Sequence, residues 1–189
     1  MKTTSYRFLL IAPILSGILA MAAPIGVLSQ EKGTEAPARE HLIEVAREVM
    51  DSARYCALIT IDETGFPRAR VMDPFPPEDD MTVWLGTNPK SLKVEQIQKN
   101  PHVALYYFDF AGLSYVTIEG TARLANDPED KAKRWKEAWV ALYPNRTDAY
   151  LLIEVTPQKL EVISFKNGVT GDPENWTPPS VDFNTQESK

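Results

Sequence analysis

Apolar residues recur along this chain with two different periods, and the switches between them outline its elements. Leu42, Val45, Ala46, Val49 and Met50 fall at helical spacing and predict a helix ending near Asp51. Period-two alternation then predicts strands near 54–61 and 66–73, joined by a turn at Asp62-Glu63-Thr64-Gly65. Asp73-Pro74-Phe75-Pro76-Pro77 reads as a rigid loop, followed by a short strand over 81–86 and a helix that stops at Asn100-Pro101. Residues 103–110 are apolar on both faces, so this strand must be covered on both sides. Residues 115–122 alternate more cleanly. Asp127-Pro128-Glu129 then opens a helix expected to carry Ala132, Trp135, Trp139 and Leu142 on one face. Core packing of the two tryptophans is weighed there against ligand stacking. Strands near 149–155 and 159–165 complete six or seven. The pattern predicts a mainly β fold with peripheral helices (α+β), an antiparallel barrel with helices packed outside.

The ends behave differently. Lys2 and Arg7 precede an uncharged stretch over 8–28 that contains Ala20-Met21-Ala22, which reads as a signal peptide over 1–29 cleaved between 22 and 30. An uncleaved membrane anchor is the alternative, opposed by Pro13, Gly17, Pro24 and Gly26. The expected organisation is then a polar linker over 30–39, one barrel domain over 40–166 and an irregular tail over 167–189. Trp176 and Phe183 give that tail a reason to dock. The expected location is outside the cytoplasm, periplasmic or extracellular. With no twin arginine, transport would precede folding and cofactor acquisition.

Loss of Lys2 and Arg7 with the leader takes the formal charge from −6 to −8. An acidic domain argues against nucleic acid as a partner. Cys56 is the sole cysteine and sits in an apolar run, so an intrachain disulfide is impossible and a buried small hydrophobe is the expected role. His41 and His102 lie far apart, and no metal site is predicted.

The candidate chemistry lies in 65–93. The helix expected to begin at residues 87–93 exposes backbone N–H groups and a positive dipole end, with Thr87 or Asn88 as N-cap and Pro89 at the first position. Ser91 and Lys93 add a hydroxyl and a cation within one turn, and Arg70 can approach from its strand as a planar donor fork. A capped surface helix beside an Arg-bearing strand would look the same.

The ordered set Gly65-x-Pro67-x-x-Arg70-x-Met72, Thr87-Asn88-x-x-Ser91-x-Lys93 and Asn100-Pro101-x-Val103-x-Leu105 resembles the pyridoxamine 5'-phosphate oxidase-like superfamily. Trp135, Trp139 and the run 151–157 are most similar to its general-stress-protein branch. The resemblance spans 40–166. It implies an FMN-binding split β-barrel, a homodimer with FMN at the subunit interface, and a flavin-dependent oxidoreductase of unknown substrate. Arg70, Thr87, Ser91 and Lys93 would hold the flavin phosphate and ribityl chain, and Val71 and Met72 would present strand backbone to the ring. Leu92 stands where pyridoxamine phosphate oxidases carry arginine, and Tyr115 where they carry glutamine. Their C-terminal Arg-Leu-x-Pro-x-Arg segment has no counterpart, so true pyridoxamine phosphate oxidase activity is not expected. Two alternatives stay open: a non-catalytic flavin-binding or stress-related protein, and a split barrel that takes another ligand such as heme or a deazaflavin.

Overall fold

The computed structural model describes residues 37–145 and 148–184, which belong to the compact unit Glu35–Lys189. The expected export signal and most of the expected linker lie outside the described residues. No helix among the described residues is long and apolar enough to cross a membrane.

Seven strands and three α-helices are described. They run α1 (Arg39–Ala53), β1 (Cys56–Ile61), β2 (Pro67–Met72), β3 (Val83–Thr87), α2 (Leu92–Lys99), β4 (His102–Asp109), β5 (Ser114–Ala125), α3 (Pro128–Lys133), β6 (Leu151–Ile163) and β7 (Ser180–Asp182). Every strand pairing is antiparallel, in the order β2-β1-β4-β5-β6-β3, with β7 added on β6. The sheet does not close: β2 and β3 are its two ends. They are linked through the segment after β2, where Pro74 bridges Leu85 and the Phe75 N–H donates to the Trp84 carbonyl at 2.9 Å. A gap therefore opens between Val71–Met72 on one side and Gly86–Thr87 on the other.

The main core fills the inside of this curved sheet. Leu58, Leu105, Val116, Ile118, Val155 and Leu160 are fully buried, and α1 covers them with Leu42, Val45, Ala46, Val49 and Met50, the stripe read from spacing. A second cluster gathers Trp84, Trp139, Tyr150 and Leu152, with Trp135, Tyr143 and Phe75 against it. Trp139 is 5% exposed and presses on Gly86, where an added Cβ would stand 2.5 Å from its ring.

Four expectations change. The helix expected through Trp139 stops at Lys133, and a separate 3₁₀ turn spans Glu137–Trp139. Long-range ties break it: the Arg134 guanidinium bonds Glu78 and stacks on the Trp84 ring at 3.8 Å, while Lys136 reaches Asp73 at 2.6 Å. Ala132 and Leu142 are consequently exposed rather than aligned with Trp139. The two strands expected around Thr156-Pro157 form one, β6. A bulge there lets Gly120 face Pro157 while Glu119 faces Lys159, which accommodates a proline that cannot donate to the ladder. The tail contributes β7, with Val181 buried and Phe183 packed against the core, whereas Trp176 stands 80% exposed.

The fourth change concerns β4. Val103, Leu105 and Tyr107 are buried, but Tyr106, Phe108 and, just beyond the strand, Phe110 are 37%, 47% and 80% exposed. Register places Val71, Ala57, Tyr106 and Thr117 in one row across the outer face. An uncovered apolar surface therefore runs up to the gap at Val71.

Candidate functional site

The gap holds a cleft of about 350 Å³. Val71, Met72 and Asp73 form one wall and Gly86, Thr87 and Asn88 the other, with Lys93, Trp139 and Tyr143 among the remaining lining residues. Both backbones at this point belong to sheet ends, so ladder donors and acceptors on the β2 side are not consumed by a neighbouring strand. Val71 points out at 76% exposure and Met72 into the core at 9%.

The helix behind the cleft starts later than spacing suggests. Asn88-Pro89-Lys90-Ser91 is a turn: the Ser91 N–H donates to the Asn88 carbonyl at 3.0 Å and the Lys90 N–H to Asn88 Oδ1 at 2.8 Å. Pro89 takes the second turn position, where its fixed φ fits. Ser91, not Thr87 or Asn88, is the N-cap of α2. Its hydroxyl caps no helix N–H and instead shares a 3.1 Å hydrogen bond with Thr87 Oγ1. The Val94 N–H donates to the Ser91 carbonyl at 2.9 Å, which leaves the Leu92 and Lys93 amides for another acceptor.

Arg70 and Lys93 come together beside this turn. Arg70 donates from Nη1 to Thr60 Oγ1 at 2.7 Å and from Nη2 to Gln96 Oε1 at 2.9 Å, while Thr60 Oγ1 donates to the same Gln96 oxygen at 2.6 Å. Lys93 Nζ donates to Thr87 Oγ1 at 3.1 Å. Burial, and then the charge of Arg70, hold the Lys93 ammonium below its ordinary pKa; burial, and then Arg68, do the same to Arg70. Neither cation pairs with a carboxylate among the described residues. Two partly buried like charges whose hydrogen-bond partners are neutral can accommodate an anion.

Thr87, Ser91 and Lys93 are thus joined by hydrogen bonds, and Val71 and Met72 line the cleft with Thr87 and Lys93; Arg70, held by Thr60 and Gln96, lines a separate cleft on the other side of α2 with Leu92 and Gln96. Asp73, Thr60, Gln96 and Tyr143 were not singled out from sequence. Gln96 follows Lys93 by three on α2, a spacing that could have shown it; Thr60 and Asp73 act through tertiary contacts that no local pattern reveals. Trp139 both packs and lines the cleft, and its Nε1–H donates to Asp73 Oδ2 at 3.2 Å. Burial pushes the Tyr143 phenol above its ordinary value, so it stays neutral at the cleft edge. Leu92 is 72% exposed, and Tyr115 lies on β5 beside Tyr106, ring centroids 5.7 Å apart.

Residues 42–164 match the family model described as Pyridoxamine 5'-phosphate oxidase. General stress protein 26 of Bacillus subtilis is 28% identical over 121 residues, which is 62% of this chain and 84% of that protein. A Clostridium acetobutylicum protein related to general stress protein 26 superposes with a TM-score of 0.64 at 21% identity, covering 78% of this chain and 98% of its own. A pyridoxamine 5'-phosphate oxidase-related, FMN binding protein from Nostoc punctiforme superposes with a TM-score of 0.52 at 14% identity, covering 80% and 99%.

Proposed function

The chain belongs to the pyridoxamine 5'-phosphate oxidase family, and from that premise we propose that it is an exported, homodimeric FMN-binding oxidoreductase whose substrate is not pyridoxamine phosphate. The observation that carries this reading is the Arg70–Lys93 pair, two cations beside an uncapped helix start with no carboxylate among their described partners. Arg70, Lys93, the Ser91 and Thr87 hydroxyls and the first amides of α2 fit a phosphate dianion. The free side of β2 at Val71 and Met72 gives a flat, polar-edged ring a backbone to bond, and Trp139 and Tyr143 shield it from water. FMN, when bound, supplies the electron-carrying chemistry; the protein supplies position and charge. The lysine gains an anionic partner on loading, so FMN binding raises its pKa and takes up protons at alkaline pH.

The outer face of β2, β1 and β4 reaches this cleft through Val71, so a second subunit seated there would complete the ring site. Export rests on the leader over 1–29, and N-terminal sequencing of protein from the cell envelope tests it: a start between residues 23 and 31 supports cleavage, an intact Met1 in membranes an anchor.

The binding test is a titration with FMN and riboflavin. FMN is expected to bind more tightly, and Lys93→Ala to weaken FMN by about 1.5–3 kcal/mol, the scale of a charge-assisted hydrogen bond, with little change for riboflavin. The melting temperature should rise with FMN by mass action. Equal affinities for the two flavins would refute the phosphate site.

A further inference from the structure

Asp73 follows the last residue of β2, and among the described residues it alone lines two clefts. One is the cleft beside Val71 and Met72; the other, of about 490 Å³, lies between α1 and the segment after β2. The Asp73 backbone is pinned on both sides, by the pairing of Met72 with Cys56 and by the Pro74–Leu85 bridge. Its side chain is pinned as well. Oδ1 accepts from Lys136 Nζ at 2.6 Å and Oδ2 from the Trp139 indole N–H at 3.2 Å. Lys136 also donates to the Pro74 carbonyl at 2.6 Å and stands over the Phe75 ring at 4.9 Å, and Phe75 meets Trp139 edge-on at 5.4 Å. These contacts hold Trp139 against Gly86 as part of the first cleft's lining.

Holding an indole does not require an ion. A neutral carbonyl or hydroxyl oxygen would accept from its N–H and bring no charge with it. Asp73 instead brings the one carboxylate among the described lining residues of this cleft, on a side chain 36% exposed. Its counter-ion comes from elsewhere, since Lys136 lines the second cleft and not the first. The first cleft therefore meets the negative member of the pair directly and the positive member only behind it.

We propose that Asp73 is a positioning residue of the flavin site that sets the reduction potential of the ring, its carboxylate placing Trp139 and Lys136 setting how much of the carboxylate's charge is felt in the cleft. The inference rests on the FMN reading above. Negative charge beside a flavin opposes the electron density gained on reduction, and positive charge favours it. The pair keeps the two in balance, so removing either charge alone shifts the potential, in opposite directions.

The test equilibrates the FMN-loaded full chain with a reference dye and a reductant. At a fixed poise, Asp73→Asn should raise the ratio of reduced to oxidised flavin about tenfold, equivalent to about 30 mV for a two-electron couple. Lys136→Gln, which keeps an N–H donor for Asp73, should lower the ratio by a similar factor, and the double variant should return to within about twofold of the parent. Damage to the fold alone would not give opposite signs that cancel. In the flavin-free chain, exchange of the Trp139 indole proton with solvent should quicken in Asp73→Ala and stay slow in Lys136→Gln. Shifts of the same sign in both single variants, no shift in either, or indole exchange untouched by Asp73→Ala would overturn the inference while FMN binding stands. A parent chain that takes up no FMN would overturn the flavin reading, and this inference with it.

Discussion

At the scale of single residues, the cleft depends on an absent side chain. Gly86 gives its space to the Trp139 ring, and Gly86→Ala would place a methyl 2.5–2.6 Å from two ring carbons. A loss of about 1–3 kcal/mol is expected, the range for overpacking, measurable as a lower denaturant midpoint at unchanged slope. Asp62 shows a different local economy. Its carboxylate accepts from the Thr64 hydroxyl at 2.6 Å, from Arg68 Nε at 2.7 Å, and from the Thr64 and Phe66 amides at 2.9 and 3.0 Å. The Thr64 hydroxyl first, and then Arg68, hold its pKa well below the usual carboxylate range. The folded state therefore binds this proton less readily than the unfolded one, so the stabilisation is complete above the unfolded value near 4 and is lost as pH falls below it. Asp62→Asn should flatten the acid limb of a stability–pH curve; an acid limb identical to the parent's would refute this.

At the scale of elements, β7 is the part the tail's composition concealed. It is three residues long and preceded by Pro178-Pro179, and its pairing with β6 is a tertiary event. It also tethers the other end of the fold, because Arg39 donates to the Asp182 carbonyl at 2.8 Å and lies over the Phe183 ring at 4.9 Å. Truncation after Pro178 is expected to lower stability by about 2–4 kcal/mol, from losing the buried Val181 and Phe183 side chains and uncovering the apolar surface they pack against. Hydrogen exchange should quicken in the first turn of α1 as well as in β6. The longer strands and α1 were legible because their own side chains carry the period. The break after Lys133 was not: Trp135 and Trp139 keep helical spacing, and the ties of Arg134 to Glu78 and Lys136 to Asp73 that override it span more than fifty residues. The start of α2 was misplaced for a local reason, since Asn88-Pro89 serves a turn as readily as a cap. The cations of the candidate site were legible; Thr60 and Gln96, which hold Arg70, were not.

At the scale of the whole molecule, the apolar outer face is where the proposed dimer would form. Tyr106 and Phe108 stand in the open beside Phe110, and such a surface on a chain of this size marks an interaction site. With a symmetric partner there, Phe108→Ala should weaken dimerisation by about 2 kcal/mol, the cost of losing one aromatic anchor. Sedimentation equilibrium would read it, and dilution should release flavin and subunits together; a stable monomer that keeps full flavin affinity at micromolar concentration would end the idea. The distribution of tryptophans has an optical consequence. Trp84 and Trp139 sit in the second cluster with Trp135 against it, and Trp139 reaches the cleft, whereas Trp176 faces solvent. Ultraviolet emission from this chain therefore has two sources of different colour, a blue one from the clustered indoles and a red-shifted one from Trp176. Replacing Trp176 with phenylalanine would leave only the blue source, and its dimming would report a flavin arriving beside Trp139 without any added label.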